Sequence, residues 1–284
     1  MEIQIDLQVY FFAGPTGVGK TETCKSLSKF LYNNTNINRF DMSEYKDEFA
    51  SINKLIGAPN GLVGYEEGGT LINSMKKNPN AIVLFDEIEK ADKSIFDLFL
   101  QIIDEGYVTS NQGEKISFKN NFIIFTSNLG SSKISPKNTH KENNKIISEH
   151  IYHFFNNVIN RPEILRRIGK DNIIPFKLIT EIEDIFKILD IYFNNLIANM
   201  NSKKTNLIFN KYELYGFILK DFDVTKGARD IRNSFDNFKK ILTKLLFEQK
   251  IAVNDLKNKN IEILCENNNL RLNVSNLGIQ KVTK

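Results

Sequence analysis

The first 177 residues alternate short apolar runs with stretches of helical periodicity. The run at residues 81–85 reads AIVLF and has no polar position, which is typical of a central parallel strand buried on both faces. Between the runs, apolar residues recur at helical spacing, as Cys24, Leu27 and Leu31 do. This alternation predicts an α/β domain with a parallel sheet. The predicted strands lie at residues 8–13, 37–41, 81–85, 121–127 and 173–176.

The pattern changes near residue 177, after which helical periodicity dominates. Two amphipathic helices are predicted there, followed near the end by a β-hairpin of alternating apolar residues. We therefore divide the chain into a large domain, residues 1–177, and a small, mostly helical domain, residues 178–284. The polar stretch 130–147 is predicted to be an exposed loop of the large domain. The two helices are marked by apolar positions within residues 182–196 and 231–245, and the hairpin by Leu270, Leu272 and Val274.

The composition is that of a globular protein. Of its 284 residues, 41% are hydrophobic and 25% are charged, and the net charge is only +4, which does not indicate a nucleic-acid partner. No apolar run approaches the roughly 18 residues that suggest a membrane span, and the first ten residues lack the cationic segment of a signal peptide. Because Cys24 and Cys265 have no metal-ligand neighbours at a suitable spacing, we expect a cytoplasmic protein with reduced, buried thiols.

A glycine-rich loop follows the first predicted strand. Residues 14–21 read GPTGVGKT and match the phosphate-binding pattern G-x-x-x-x-G-K-[ST], with an apolar strand before them and an amphipathic helix after them. Backbone amides and the helix N-terminus would face the phosphates of ATP. Lys20 would contact the β- and γ-phosphates, and Thr21 would coordinate Mg²⁺. The predicted nucleotide-binding residues are Gly14, Pro15, Thr16, Gly17, Val18, Gly19, Lys20 and Thr21.

Two carboxylates follow the apolar strand at residues 81–85. Asp86 would lie at the carboxyl edge of the sheet beside the phosphate loop, where it can hold Mg²⁺ through water. Glu87 is placed to act as the general base that orients the attacking water. The loop and the acidic pair together predict an ATP-hydrolysing enzyme with ATP and Mg²⁺ as its ligands.

Five motifs in a fixed order carry a family resemblance, which covers residues 8 to 275 approximately. The chain resembles the Clp-type AAA+ unfoldases, and in particular the second, C-terminal ATPase module of the ClpA, ClpB and ClpC group. The resemblance implies a three-layer AAA+ domain with a five-stranded parallel sheet, followed by a small helical domain with a β-hairpin. The motifs are LIGAPNGLVGYEEGG (55–69), FDEIEKA (85–91), TSNLGS (126–131), RPEILRR (161–167) and GAR (227–229).

The resemblance also implies roles for single residues. Asn128 matches sensor 1, which helps to place the lytic water. Arg167, beside Arg166, matches the arginine finger that is offered to a neighbouring subunit, so a homo- or hetero-hexameric ring is implied. Arg229 matches sensor 2, through which the small domain reaches the nucleotide.

The segment Gly61, Leu62, Val63 and Gly64 aligns with the loop that lines the axial channel of the family. The family carries an aromatic residue there, which grips unfolded or assembled protein substrates. Leu62 keeps the apolar bulk and lacks the ring, so we predict translocation with a weaker grip.

Two departures from the family concern its partners and its adenine site. Relatives carry a helix and a loop ahead of the first strand that cover the adenine, whereas about seven residues precede that strand here. We therefore expect a fragment of a longer protein or a substitute segment. The Ile-Gly-Phe/Leu tripeptide that docks on a ClpP-type peptidase is absent after TSNLGS, so we do not expect that partner.

Two other functions stay open at this point. One is a degenerate AAA+ subunit that acts as a scaffold, which the missing adenine segment and Leu62 favour. The other is a nucleic-acid motor or clamp-loader relative, which the nearly balanced charge disfavours. His150 and His153 lie three residues apart, but a third metal ligand is not evident.

Overall fold

A computed structural model describes residues 7–266 and 269–277 of the chain. The chain forms two compact units, with the boundary between Lys177 and Leu178. Within the described residues, none of the helices combines the length and the apolarity that crossing a bilayer requires.

The first unit is built on a five-stranded sheet whose strands, in spatial order, are β2 (Ile37–Asp41), β3 (Ile82–Asp86), β6 (Phe122–Ser127), β1 (Gln8–Ala13) and β7 (Ile173–Pro175). All four pairings between its strands are parallel, which confirms the predicted parallel sheet. The unit also contains a separate antiparallel pair, β4 (Tyr107–Thr109) and β5 (Lys115–Ser117). Its α-helices are α1 (Lys20–Tyr32), α2 (Glu48–Ile56), α3 (Thr70–Lys77), α4 (Ile95–Glu105), α5 (His140–His153) and α6 (Pro162–Ile168).

Strand β3 lies inside this sheet and is buried along its whole length. Its side chains alternate between two apolar clusters, so Phe85 belongs to one and Leu84 to the other. On one side, Phe85 packs against Phe99 of α4 and Phe125 of β6, with ring centroids 4.6 and 5.4 Å apart. The uninterrupted apolar run therefore reflects burial on both faces of a parallel sheet.

The prediction of an exposed loop at residues 130–147 is wrong for its second half, because α5 begins at His140. Thr139 and Glu142 form a capping box: the Glu142 amide donates to the Thr139 hydroxyl at 3.3 Å, and the Glu142 carboxylate accepts from the Thr139 amide at 2.8 Å. Ile147 and Ile151 of this helix are buried. The Thr-x-x-Glu pattern of a helix start is present in the sequence. The many polar residues around it obscure the apolar periodicity by which the helix would be recognised.

The second unit contains the two predicted long helices and the predicted hairpin. Its helices pack on one face of a three-stranded sheet whose strands, in spatial order, are β10 (Asn269–Asn276), β9 (Lys259–Glu266) and β8 (Asn206–Phe209). Strands β9 and β10 form the antiparallel hairpin. Strand β8 pairs with β9 in parallel and was not predicted. The α-helices of the unit are α7 (Ile182–Asn201), α8 (Lys211–Ile218) and α9 (Ala228–Glu248).

Candidate active site

The glycine-rich loop runs from the end of β1 to the start of α1. Gly14 is tightly packed, since a Cβ there would lie 2.6 Å from the carbonyl oxygen of Phe176. Gly19 is the N-cap of α1 and has a φ of 98°, in the left-handed region that favours glycine. The first-turn amides of α1 thus follow a residue without a capping side chain. This arrangement leaves a helix N-terminus suited to a phosphate.

Lys20 is buried, and its side chain folds back across the loop. Its ammonium group donates to the carbonyl oxygens of Gly14 at 2.6 Å and Pro15 at 2.8 Å. It also donates to Oδ1 of Asn128, at the end of β6, at 2.9 Å. The lysine therefore links the loop to the carboxyl edge of the sheet.

Asp86 is the last residue of β3 and is 7% exposed. The fully buried Thr126 hydroxyl donates to its Oδ1. The guanidinium of Arg39 donates twice to its Oδ2, from Nε at 3.0 Å and from Nη2 at 2.6 Å. Both oxygens of the carboxylate are engaged, as burial of a charge requires.

Glu87 has a φ of 58° and a ψ of 53°, which is the left-handed region and uncommon for a residue with a side chain. Its amide donates to the hydroxyl of Thr126 at 3.1 Å, so one hydroxyl holds both consecutive acidic residues. Its Oε1 accepts from Nδ2 of Asn128 at 2.9 Å, and its Oε2 pairs with the ammonium of Lys90. Strained backbone at this position is typical of a functional site.

Asn128 connects the base candidate with the phosphate-loop lysine, because its amide group contacts Glu87 and Lys20 at once. Its own backbone amide donates to Oε1 of Glu89 at 3.0 Å. The Lys90 ammonium contributes positive charge, and its hydrogen bond with Glu87 raises the pKa of Lys90 above its ordinary value. The structure thus brings together Lys20, Asp86, Glu87 and Asn128 at one edge of the sheet.

The donor set fits a nucleotide with Mg²⁺. Asp86 is a single buried carboxylate, and Thr21 lies beside Lys20 in the first turn of α1. Further along α1, burial and then the charge of Asp86 raise the pKa of the Cys24 thiol to about 12. Among the described residues, no group of three or more His, Cys, Asp and Glu could hold a metal by itself. Mg²⁺ is usually held by one or two protein ligands together with substrate phosphates, which matches this set.

The predicted finger arginine belongs to the first unit, and the predicted sensor-2 arginine belongs to the second. Arg167 is on α6, its side chain is 57% exposed, and its Nε pairs with Oδ1 of Asp104 on α4 at 2.9 Å. Arg229 is exposed in the first turn of α9, within the second unit. Arg166 is exposed beside Arg167. The ion pair of Arg167 therefore involves α4 and not the residues gathered at the sheet edge.

The segment 61–64 forms an exposed turn between α2 and α3. Gly61 and Gly64 have φ values of 86° and 90°. Leu62 is 56% exposed, and Val63 is fully exposed. Both apolar side chains are thus accessible at the surface of this unit.

Three residues of the site were missed by the reasoning from sequence, namely Arg39, Lys90 and Thr126. Thr126 lies within the TSNLGS motif, and the parallel register pairs Phe85 with Phe125, so Thr126 directly faces the end of β3. That signal was available once both strands had been predicted. Arg39 and Lys90 are charged residues on exposed positions, and sequence alone does not distinguish them from solvated surface residues.

The His150 and His153 pair gains no support as a metal site. Nδ1 of His150 lies 2.8 Å from the carbonyl oxygen of Ile146, in the preceding turn of α5. The two cysteines are not bonded to each other, and Cys24 is buried as predicted, whereas Cys265 is only partly buried.

Comparison with known proteins indicates the family of the chain. Residues 6–170 match the AAA domain (Cdc48 subfamily) family. The chain is 40% identical to the chaperone protein ClpB of Clostridium tetani over 252 residues, which are 87% of this chain and 27% of that protein. It is 36% identical to ClpB of Helicobacter hepaticus over 259 residues, which are 89% of this chain and 29% of that protein. The identity with ClpB of Chlamydia trachomatis is 38% over 237 residues, 81% of this chain and 26% of the relative.

The chain therefore spans less than a third of the length of these relatives. The family match covers more than half of the chain, and it includes the loop, the acidic pair and Asn128. The chain belongs to the AAA domain family, Cdc48 subfamily, as a Clp-type AAA+ ATPase domain.

Proposed function

We propose that this chain binds ATP with Mg²⁺, hydrolyses it, and acts as one subunit of a ring that remodels protein substrates. The observation that carries the proposal is the connected set of polar side chains at the carboxyl edge of the sheet. Lys20 contacts Asn128, Asn128 contacts Glu87, and Thr126 joins Glu87 to Asp86. These residue types on a P-loop scaffold are the ones that phosphoryl transfer needs.

The phosphate-binding half consists of residues 14–21. The amides at the start of α1 bind the phosphate oxygens, and Lys20 contributes its positive charge. Thr21 and Asp86 hold Mg²⁺, which neutralises charge that develops on the phosphates. Burial of Lys20 and Asp86 supports this role, because electrostatic interactions are stronger where water is excluded.

The hydrolytic half consists of Glu87 and Asn128. Glu87 acts as the general base, which orients a water and accepts its proton. Asn128 fixes one oxygen of that carboxylate and also contacts Lys20, so it positions the base relative to the phosphate loop. Thr126 holds the Glu87 amide and thereby stabilises its left-handed backbone.

The ring and the substrate are the wider part of the proposal. The relatives at 36–40% identity are named chaperone proteins, which supports a protein substrate, unfolded or assembled. The exposure of Arg167 suits a finger that acts on a neighbouring subunit of a hexamer, and Arg229 is assigned to sensor 2. The exposed turn 61–64 is assigned to the channel loop. A cytoplasmic location, and the lack of a ClpP-type partner, stay predictions.

Replacement of Glu87 tests the proposed chemistry. We expect Glu87→Gln to slow ATP hydrolysis by about 100-fold or more, because a positioned general base contributes about that much, and to leave ATP binding intact. The matched control is Glu114→Gln, an exposed carboxylate that pairs with Lys76. Phosphate release and binding of a fluorescent ATP analogue measure the two effects. Equal hydrolysis by wild type and Glu87→Gln would contradict the assignment.

The same assays separate the other two functions. A chain that turns over no ATP at any protein concentration, yet binds its partners with or without nucleotide, would be a scaffold. Hydrolysis that is stimulated by DNA and not by an unfolded protein would indicate a nucleic-acid motor.

A further inference from the structure

Arg39 makes an ion pair with the carboxylate that the proposed function assigns to the metal. Arg39 lies on β2, where the parallel register pairs it with Leu84 of β3. Its side chain extends to the end of β3 and donates to Oδ2 of Asp86 at 3.0 and 2.6 Å. Two donors from one guanidinium on one oxygen form a charge-assisted contact that is stronger than a neutral hydrogen bond.

The two oxygens of Asp86 are held from opposite sides. Oδ1 accepts from Thr126, which is fully buried, whereas Oδ2 accepts from Arg39, whose side chain is 49% exposed. Oδ2 is therefore the oxygen whose partner is the more exposed of the two. A cation that approaches Asp86 from the phosphate loop meets a carboxylate that already carries a positively charged partner.

We propose that Arg39 is a positioning residue that competes with Mg²⁺ for Asp86. This inference rests on the proposed function, because it takes Asp86 as a metal-site residue. The guanidinium holds the buried carboxylate in place, and binding of the metal requires Arg39 to withdraw or to share the carboxylate against charge repulsion. Arg39 thus lowers the affinity for magnesium while it stabilises the protein without the metal, since two cations for one carboxylate are linked negatively.

The binding test compares the affinity for mant-ADP in excess Mg²⁺ with the affinity in EDTA. We expect Arg39→Met to increase this magnesium enhancement at least about fivefold, which is the lower end of ordinary coupling between sites. Arg39→Lys keeps the charge but loses the planar guanidinium with its two donors to Asp86. Its enhancement should therefore lie between those of wild type and Arg39→Met. The control Lys25→Met removes one positive charge from an exposed ion pair with Glu22 and should change the enhancement much less.

The unfolding test uses the full chain in EDTA without nucleotide. Arg39→Met should lower the melting temperature by about 2–4 °C, as loss of a modest interaction does in a protein of this size. In an Asp86→Asn background the same substitution should have little effect, because the carboxylate partner is gone. Equal decreases in both backgrounds would overturn the proposed contact.

The outcomes separate this inference from the function on which it rests. Normal mant-ADP binding by wild type, with an unchanged or smaller magnesium enhancement in Arg39→Met, would overturn the competition alone. A wild type that binds no mant-ADP would overturn the proposed function and the competition together. The unfolding cycle would then still measure whether Arg39 holds Asp86.

Discussion

The carboxyl edge of the sheet and the exposed turn at residues 61–64 differ in how their side chains are held. At the sheet edge, the Lys20 ammonium donates to Gly14, Pro15 and Asn128, and Thr126 bridges two consecutive acidic residues. In the turn, hydrogen bonds join backbone atoms, such as the Leu62 amide with the Pro59 carbonyl at 3.2 Å, and the side chains of Leu62 and Val63 are exposed. A side chain that works on its own chain's site is packed into it, whereas one that meets another molecule must stay accessible.

Arg167 resembles the turn in this respect, although its proposed role is catalytic. Its side chain is more than half exposed, and its partner Asp104 is also on the surface of the unit. Such a surface pair contributes little stability and can be exchanged for another partner at small cost. The proposed site therefore consists of a half that one chain completes and a half that needs a neighbour.

The largest effect is expected from the test of whether Arg167 acts on a neighbouring subunit. We expect Arg167→Ala to lower ATP turnover about 1,000-fold while nucleotide binding persists, because a finger stabilises only the transition state. Arg166→Ala is the adjacent control and should keep most of the turnover. Mixing Arg167→Ala subunits with Glu87→Gln subunits should restore partial hydrolysis. If the mixture stays inactive although mixed oligomers form, Arg167 does not act on a neighbour.

Lys20 tests the half that one chain completes. Lys20→Ala should weaken the binding of a fluorescent ATP analogue about 100-fold, since it removes a preorganised charge from a buried site. Lys25→Ala, on the exposed side of the same helix, removes an equal charge and should bind normally. Comparable losses in both variants would show that general charge, and not the buried contact, governs binding.

Thr126 tests whether the bridge holds the acidic pair. Thr126→Val keeps the shape and leaves Asp86 and the Glu87 amide without a shared partner, so unfolding free energy should fall by about 1–3 kcal/mol. Thr126→Ser retains the hydroxyl and should recover most of the ATP turnover that valine removes. Denaturant unfolding and phosphate release measure the two effects. A valine variant with wild-type stability and turnover would argue against the bridge.

The smallest effect is expected at the exposed turn. Leu62→Tyr restores the ring that the family carries, and an aromatic contact contributes about 0.5–1.5 kcal/mol. The ratio of hydrolysis with unfolded protein to hydrolysis without it should rise about 2- to 10-fold. Leu62→Ala should lower the same ratio, and Phe49→Ala, at another exposed apolar residue, should leave it unchanged. If neither substitution at Leu62 changes this ratio, the turn does not belong to the proposed substrate site.

The sequence alone determined the sheet and predicted the main residues of the candidate site. Buried parallel strands need nearly continuous apolar runs, and the phosphate loop needs glycines and lysine at a fixed spacing, so both are visible in a linear pattern. Asp86 and Glu87 were found because they directly follow such a run. The second half of the polar stretch 130–147 was interpreted wrongly, because the capping box at Thr139 is a short signal among many polar residues.

Only the tertiary structure decided which charges surround the acidic pair. Arg39 and Asp86 are 47 residues apart, and they meet because β2 and β3 are adjacent parallel strands whose register places one side chain within reach of the other. Lys90 meets Glu87 because a 3₁₀ turn at Ile88–Lys90 follows the left-handed Glu87. A charged residue at an exposed position has the same sequence signature whether it faces water or a carboxylate. Its partner is fixed by strand order and local backbone conformation, which no linear pattern contains.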